Sequence, residues 1–242
     1  IALRGIVGGR LGFTAAAGQI DAQEIVENLL TSARYGDQVS LAFPPAVAGP
    51  EVAAYDPATA ELSSAQLAAV GREVVELLRQ VDADGMVSVE IERAVGQAEL
   101  CNSAGAEVMQ KSSSFSVGIS VERVRGDDVL MVFDGCESVA PNEDYHRAVE
   151  RLIQRIRLAQ RSASLRSGHM PVLFAPQGAI VLALPLMLAT DGKNVYRGTS
   201  PLAKRVGEQV FDRQLGLWDD PTVPGRPNSS SHDDEGVPCY RK

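Results

Sequence analysis

The residues best suited by type to chemistry stand near the end of the chain. His232 precedes three acidic residues, Asp233–Asp234–Glu235, and Cys239 follows shortly after. Imidazole, carboxylate and thiolate groups are the usual protein ligands of transition metals. Neighbouring residues in a row cannot all converge on one ion, however, and no pair of His or Cys has the spacing of a zinc site. The sequence therefore favours a solvated acidic loop over a metal centre.

One thiol and two further histidines are the other candidates. Cys136, after Asp134–Gly135, could act as a nucleophile if a His and an orienting group lie beside it in space, which the sequence leaves open. His169 precedes a predicted buried strand, and His146 lies on the solvated side of an Arg-rich helix. Both are therefore expected to be structural or surface residues. The sequence contains no G-x-S-x-G motif, so a serine hydrolase elbow has no support.

Composition and charge narrow the class of protein. The chain has 23 Lys and Arg against 31 Asp and Glu, a net charge of −8, which argues against a nucleic-acid surface spread over the chain. Basic residues concentrate only in Arg147–Arg166, which has no interleaved aromatic residues and is predicted to be a solvated helix face. Three widely spaced cysteines are typical of reduced thiols in a cytoplasmic protein. The longest apolar run, Ala179–Ala189, is shorter than the about 18 residues of a membrane span.

Hydrophobic periodicity predicts an α+β fold. Near the start, Ile1–Val7 and Arg10–Ala16 are predicted to pair as a hairpin through a Gly-Gly turn. A helix follows, capped by Asp21 in a capping box with Glu24 and ended by Gly36. We expect Ile25, Val26, Leu29, Leu30 and Ala33 to form its inward face.

The middle of the chain changes from a helical period to a strand period. Phe43–Pro57 is predicted to be a linker, and a helix over 64–81 follows it. Alternating apolar and polar residues within 87–133 then predict three or four antiparallel strands with one polar face. A second helix, over 143–165 and capped by Asn142, is available to cover the other face.

The last third is predicted to be more deeply buried. Met170–Ala175 has the composition of a buried strand, and Pro176 stands where a first helical residue belongs. Gly178–Thr190 is apolar on nearly all sides, so this helix is expected to lie inside the protein. Beyond it, Leu217–Pro238 is rich in Pro and Gly and is predicted to be an ordered loop in which Gly236 offers a positive φ.

Three motifs give the last part of the chain a family resemblance. Gly207–Val210 has the pattern G-E-x-V, Asp219–Gly225 has D-D-P-T-x-x-G, and Asp233–Pro238 has D-D-E-G-x-P. In this order and at this spacing they resemble the C-terminal domain of the TldD/PmbA family. Gly9–Phe13 is also similar to the G-R-x-G-F strand that ends the family's N-terminal domain. The family was first described as modulators of DNA gyrase and is regarded as metallopeptidases.

The resemblance also implies where a metal should bind. Active members carry H-E-x-x-x-H on the helix before an S-P segment, where two His hold Zn²⁺ and the Glu polarises the bound water. Aligned without gaps on Ser200–Pro201, the two His and the Glu fall on Leu184, Leu188 and Pro185. Gly178–Thr190 contains no His, Glu, Asp or Cys. The chain thus resembles the PmbA (TldE) branch, and the resemblance implies no catalytic, cofactor-binding or metal-binding residue in it.

From the resemblance we expect three parts: the end of an N-terminal α/β domain over 1–40, an intermediate domain over 41–167, and the start of a C-terminal α+β domain over 168–242. The chain is expected to be a fragment of a longer protein. The intermediate domain should hold an antiparallel sheet with flanking helices.

The resemblance further implies a cytoplasmic, metal-free subunit. Its partner would be a metal-bearing TldD-type subunit that supplies the zinc, and its substrate an extended or unfolded peptide. Self-association is possible, whereas membrane attachment and direct nucleic-acid binding are not expected.

Two other functions stay open. One is a non-proteolytic protein that modulates DNA gyrase or a toxin–antitoxin system. The other is an independent hydrolase that uses Cys136 or the Asp233–Glu235 cluster.

Overall fold

A three-stranded antiparallel sheet organises the middle of the chain in the computed structural model, which describes residues 1–161 and 163–242. Its strands are β3 (Met86–Cys101), β4 (Glu107–Arg125) and β5 (Asp128–Ser138), with β4 in the centre. The predicted alternation is confirmed, although the strands run further at both ends of the β3–β4 hairpin than the apolar pattern indicated. The α+β class is therefore confirmed.

Two tight turns join the strands of the sheet. The Asn102 side-chain oxygen accepts hydrogen bonds from the backbone N–H groups of Ala104 (2.9 Å) and Ala106 (3.1 Å) and so closes the β3–β4 turn. Gly126 has a φ of +62° in the β4–β5 turn, a conformation that residues with a Cβ rarely adopt. The turns therefore fix the register that places every second side chain of β4 in the core.

Two helices cover one face of this sheet. They are α3 (Ser64–Arg79), which begins with a capping box between Ser63 and Gln66, and α4 (Tyr145–Leu158). Together with β4 they form the core, because their apolar stripes close over the apolar row of the central strand. The buried members are Val74, Leu78, Phe115, Val117, Ile119, Val121, Tyr145, Ala148, Val149, Leu152 and Ile156.

Some boundaries differ from the prediction. Helix α4 ends at Leu158 rather than 165: Leu158 is already 77% exposed, and Leu165 is 85% exposed. A short helix, α2 (Pro57–Glu61), begins where the predicted linker ends. The side chain of Asp56 caps it by accepting a hydrogen bond from the backbone N–H of Ala58. Helix α2 matters for packing, since the buried Thr59 hydroxyl donates to the carbonyl of Val139 at 2.7 Å.

The N-terminal part is a hairpin with one helix on it. Strands β1 (Ala2–Val7) and β2 (Arg10–Ala15) pair through the predicted turn, and α1 (Ala22–Tyr35) follows. Asp21 caps α1 by accepting from the backbone N–H groups of the second and third helical residues, as predicted. Among the described residues the return bond from the Glu24 side chain is not made, so the capping box is only half formed.

The inward face of α1 is narrower than predicted. Ile25, Leu29 and Ala33 are buried, but Val26 and Leu30 are exposed. The reason is geometric: a two-stranded hairpin covers only one stripe of a helix. The contact is close, because a Cβ on Gly5 would lie 2.7 Å from a methyl carbon of Leu29.

The last third differs most from the prediction. Met170–Ala175 forms no strand, and Leu173 is 98% exposed. Helices α5 (Ile180–Thr190) and α6 (Gly192–Tyr196) follow, but α5 buries only Ala189. The prediction that α5 is buried was therefore wrong for the described residues. An apolar helix tends to be covered by other elements, but no described element packs over α5. Within the described residues, no helix is both long enough and apolar enough to cross a membrane.

The core predicts a clear contrast between two leucines of α4. Leu152→Ala removes a fully buried side chain and should lower the free energy of unfolding by about 2–5 kcal/mol. Leu158→Ala, at an exposed position of the same helix, should change it by less than about 0.5 kcal/mol. Urea unfolding followed by circular dichroism measures both. Equal losses would show that α4 does not pack as described.

Candidate functional site

The positions implied for the metal motif lie on α5. Leu184 and Leu188 are 51% and 56% exposed, and Pro185 stands inside the helix. Counted strictly, H-E-x-x-x-H places its second His on Ala189 rather than on Leu188. None of these side chains carries a donor atom, so the residues present do not fit a zinc ion. Over residues 1–161 and 163–242, no three His, Cys, Asp or Glu side chains come together as a metal site.

The acidic cluster is held by turn contacts. The side chain of Asp233 accepts hydrogen bonds from the backbone N–H groups of Glu235 (3.0 Å) and Val237 (2.9 Å). His232 places Nε2 2.9 Å from the carbonyl oxygen of Val47 and Nδ1 2.9 Å from the Ser231 hydroxyl. Both ring nitrogens and the first carboxylate thus have protein partners, which supports the predicted loop rather than a metal centre.

The other two carboxylates of the cluster reach the N-terminal hairpin. Arg4 of β1 lies 2.7 Å from Glu235 and 3.6 Å from Asp234. Both acidic partners are at least half exposed, so these ion pairs add little stability. Their consequence is positional: the loop and the first strand lie side by side.

The loop is also fastened to the central sheet. Gln110 of β4 donates to the carbonyl of Ser229 (3.0 Å) and accepts from the Ser230 hydroxyl (2.8 Å). The carbonyl of Gly225 accepts from the backbone N–H of Val139, just after β5. Gly236 has the expected positive φ, +88°. These contacts explain why a stretch without helix or strand is ordered.

Cys136 lacks the surroundings of a nucleophile. The thiol is half-buried on β5. Its burial and, to a smaller extent, the negative charge of Asp144 raise its pKa. The other charges that act on it belong to Arg151 and Asp134, and no histidine is among them. A raised pKa keeps the sulfur protonated and unreactive, so the thiol hydrolase is not supported.

His146 does not lie free on the solvated side of α4. Its Nε2 is 2.8 Å from a carboxylate oxygen of Glu73 on α3, and the hydroxyl of Tyr145 donates to the other oxygen at 3.1 Å. The hydrogen bond from His146 lowers the pKa of Glu73, while burial and the Glu73 hydrogen bond raise the pKa of Tyr145 to about 12. These contacts join the two helices, which is the structural role expected.

The Arg-rich segment is only partly a solvated face. Arg147 is exposed, but Arg151 and Arg155 turn back to the sheet and lie 2.7 Å and 3.2 Å from Asp134. The Asp134 side chain is fully buried. Burial alone would raise its pKa, but hydrogen bonds from Arg151 and the backbone N–H of Gly135, with the two guanidinium charges, lower it. The segment therefore fastens α4 to β5, which supports a structural role over nucleic-acid binding.

One surface was missed by the sequence reading. An open cavity of about 520 Å³ lies on the face of the sheet opposite α3 and α4, next to Glu90, Glu92, Gly118 and Glu137. Arg226 of the loop borders the same cavity. The signal was present in the alternation of the strands, from which one polar face of the sheet was predicted, without a ligand for it.

A protein-family model and a curated protein are similar to parts of this chain. Residues 167–242 match the family model of the PmbA/TldA metallopeptidase C-terminal domain. An uncharacterized protein from Methanocaldococcus jannaschii is 29% identical over 157 residues, which cover 63% of this chain and 35% of that protein.

Solved structures share the fold over essentially the whole chain. TldE from Thermococcus kodakarensis superposes with a TM-score of 0.80 at 25% identity, covering 99% of this chain and 56% of that one. A protein from Thermotoga maritima, named as a candidate modulator of a DNA gyrase, superposes with a TM-score of 0.84 at 21% identity, covering 100% and 56%. The chain thus spans little more than half the length of these structures.

The chain has the α+β fold of the TldE structure, with the motif-bearing loop packed against its sheet. The family model over residues 167–242 and the TldE structure together confirm the resemblance to the TldD/PmbA family that was stated from the motifs.

The Asp134 contacts predict an acid-sensitive stability. Because its folded pKa is lowered, the ionised form contributes stability above the unfolded value of about 3.9 and loses it as the pH falls through the folded pKa. Asp134→Asn should therefore cost about 2 kcal/mol at pH 7, and the difference from the unsubstituted chain should shrink below about pH 4. Asp127→Asn, in the exposed β4–β5 turn, is the control. A difference that does not vary with pH would contradict this account.

The Cys136 environment predicts slow alkylation. At pH 7, Cys136 should react with iodoacetamide more slowly in the folded chain than in guanidinium, because the raised pKa and partial burial leave less thiolate. Mass spectrometry of the peptide that contains Cys136 gives its rate separately from those of the other two thiols. A faster reaction in the folded chain would indicate an activated thiol after all.

Proposed function

We propose that this chain is part of the metal-free subunit of a TldD/PmbA-type metallopeptidase complex, which binds extended or unfolded peptides for cleavage. The observation that carries the proposal is the apolar helix α5, where the family's metal motif would stand and Leu184 and Pro185 stand instead. A chain that keeps the family's fold and loop but not its ligands is suited to binding rather than to zinc chemistry.

The exposure of α5 supports a partner interface. Ile180, Val181, Leu184 and Leu188 all expose more than half of their side-chain surface. A contiguous apolar surface of this kind is typical of a protein–protein interface. In this proposal a TldD-type subunit is the partner, and it alone supplies the zinc and the catalytic residues.

The central sheet supports peptide binding. Within the described part of the chain, β3 and β5 each pair on one side only. A free strand edge can accept an extended polypeptide through backbone hydrogen bonds, which give affinity with little dependence on sequence. The three cysteines are free thiols, which favours our proposal of a cytoplasmic location. The division into parts at 1–40, 41–167 and 168–242 belongs to the same proposal.

A second function comes from the structural relatives. The Thermotoga maritima protein and a protein from Bacteroides thetaiotaomicron (TM-score 0.77 at 20% identity, 100% of this chain and 58% of that one) are both named as candidate modulators of DNA gyrase. In this alternative the chain acts on DNA gyrase, or on a toxin–antitoxin system, without a proteolytic partner.

Reconstitution with a TldD-type subunit from the same genome distinguishes the two. We expect the tagged chain to capture that subunit, and the mixture to cleave an unfolded polypeptide only when zinc is present. Leu184→Glu should reduce the capture at least tenfold, because it puts a charge into the apolar contact. Leu158→Glu, an equally charged change at the exposed end of α4, should leave the capture unchanged.

Two outcomes would contradict the proposal. Peptide cleavage by the isolated chain, unaffected by chelators, would show that the chain has its own chemistry. Failure to capture any H-E-x-x-x-H protein, together with altered DNA supercoiling by gyrase, would favour the alternative.

A further inference from the structure

The face of the central sheet opposite α3 and α4 is here called the helix-free face. It comprises the side chains that alternate with the buried row across all three strands, so it follows directly from the register. Its members are Met86, Ser88, Glu90, Glu92, Ser116, Gly118, Ser120, Glu122, Met131, Phe133, Gly135 and Glu137.

This face has the shape of a trough. From Ser116 to Ser120 the central strand contributes only small residues, and longer side chains flank this part of the strand: Glu90 and Glu92 on β3, and Phe133 and Glu137 on β5. Because neighbouring strands lie about 4.8 Å apart, the rows of β3 and β5 are separated by about 10 Å, which is close to the width of one extended polypeptide. At Gly118 the space is open, since an added Cβ would meet only Glu90, at 3.8 Å or more.

The charge of the trough has one sign. Four carboxylates, Glu90, Glu92, Glu122 and Glu137, stand on the helix-free face, and no Lys or Arg stands there. Within residues 1–161 and 163–242, none of the four makes an ion pair. Arg226 borders one end of the trough. Carboxylates that share an open groove concentrate a negative potential and attract cationic ligands.

The same face also exposes apolar surface. Phe133 and Met131 on β5 are 67% and 65% exposed, and the register places them across β4 from Ser88 and Met86. A ligand that lies along β4 therefore meets carboxylates near Ser116 and Gly118 and apolar side chains further along the strand, near Ser120.

We propose that the helix-free face binds an extended, basic segment of a polypeptide. Its backbone lies along β4 above Gly118, its Lys or Arg side chains reach Glu90, Glu92 and Glu137, and its apolar side chains pack on Phe133. The proposal deepens the proposed function, on which it rests for the class of ligand, by naming the charge of the peptide that is bound.

Charge excludes the other occupants. A nucleic acid would place phosphates against carboxylates and would be repelled. A second copy of this chain that met the trough through the same face would bring an equal negative charge to it. A basic peptide is the occupant whose charge complements that of the face.

The test is direct binding, without partner or metal. The probes are two fluorescein-labelled peptides, one alternating Lys and Val and the other alternating Glu and Val, measured by fluorescence anisotropy. We expect the basic peptide to bind and the acidic one not to bind. Added salt should weaken the binding, because the carboxylates are exposed.

Two variants and one control locate the site. The triple change Glu90→Gln, Glu92→Gln and Glu137→Gln should weaken binding of the basic peptide at least tenfold. Gly118→Val should do the same by filling the trough, and the space at Gly118 lets it fold. The control triple is Glu51→Gln, Glu76→Gln and Glu150→Gln. It removes the same net charge at exposed positions elsewhere and should leave affinity unchanged. Thermal unfolding confirms that each variant is folded.

Each outcome of the binding experiment either supports or contradicts the proposal. Equal weakening by the two triple variants would mean attraction to net charge alone and would overturn the proposal, as would equal binding of the two peptides. This result is separable from the proposed function. Metal-dependent cleavage by the reconstituted complex can occur whether or not the helix-free face binds, and a bound basic peptide does not require cleavage.

Discussion

The removal of one row of β4 side chains from water is the interaction on which the middle of the chain depends. Phe115, Val117, Ile119 and Val121 are almost fully buried, and because β4 is the central strand, both ladders and both covering helices meet on them. Apolar burial of this kind is the dominant favourable term in folding. The register of β3 and the position of α4 both keep this row of side chains out of contact with water.

The two ends of the same row show how the dry region is closed. At one end the Ser113 hydroxyl donates to the carbonyl of Val139 at 2.9 Å, and at the other Arg123 forms an ion pair with Asp82 at 2.6 Å. Both side chains of that pair are buried, and burying two charges lowers the stability of the fold unless they are well placed to interact. The Nε atom of Arg123 has no protein partner among the described residues. Polar residues thus border the core at both ends, and the Arg123 pair also holds the turn between α3 and β3.

What could be predicted from the sequence was what local pattern determines. The period of two in β3 and β4, the Asp21 cap and the Gly-Gly hairpin turn were all correctly predicted, because each depends on neighbouring residues. The exposure of α5 was not predicted, since apolar composition does not say whether the covering surface belongs to the same chain. Nor were the Asp134 contacts of Arg151 and Arg155, because they join residues from different elements. The acidic loop was predicted as a loop and the family resemblance from its motifs. The trough needed the register, which places Glu90 opposite Gly118 and Glu137 opposite Ser116.

Two glycines that face each other across the β4–β5 ladder are under different constraints. A Cβ on Gly135 would lie 2.6 Å from the backbone oxygen of Val117, whereas a Cβ on Gly118 would meet nothing closer than 3.8 Å. Folding therefore forbids larger residues at Gly135 and permits them at Gly118. Among descendants selected only for a folded chain, Gly118 would drift to larger residues while Gly135 stayed fixed. The retention of a small residue at the first position would then record selection on the surface, and at the second selection on the backbone.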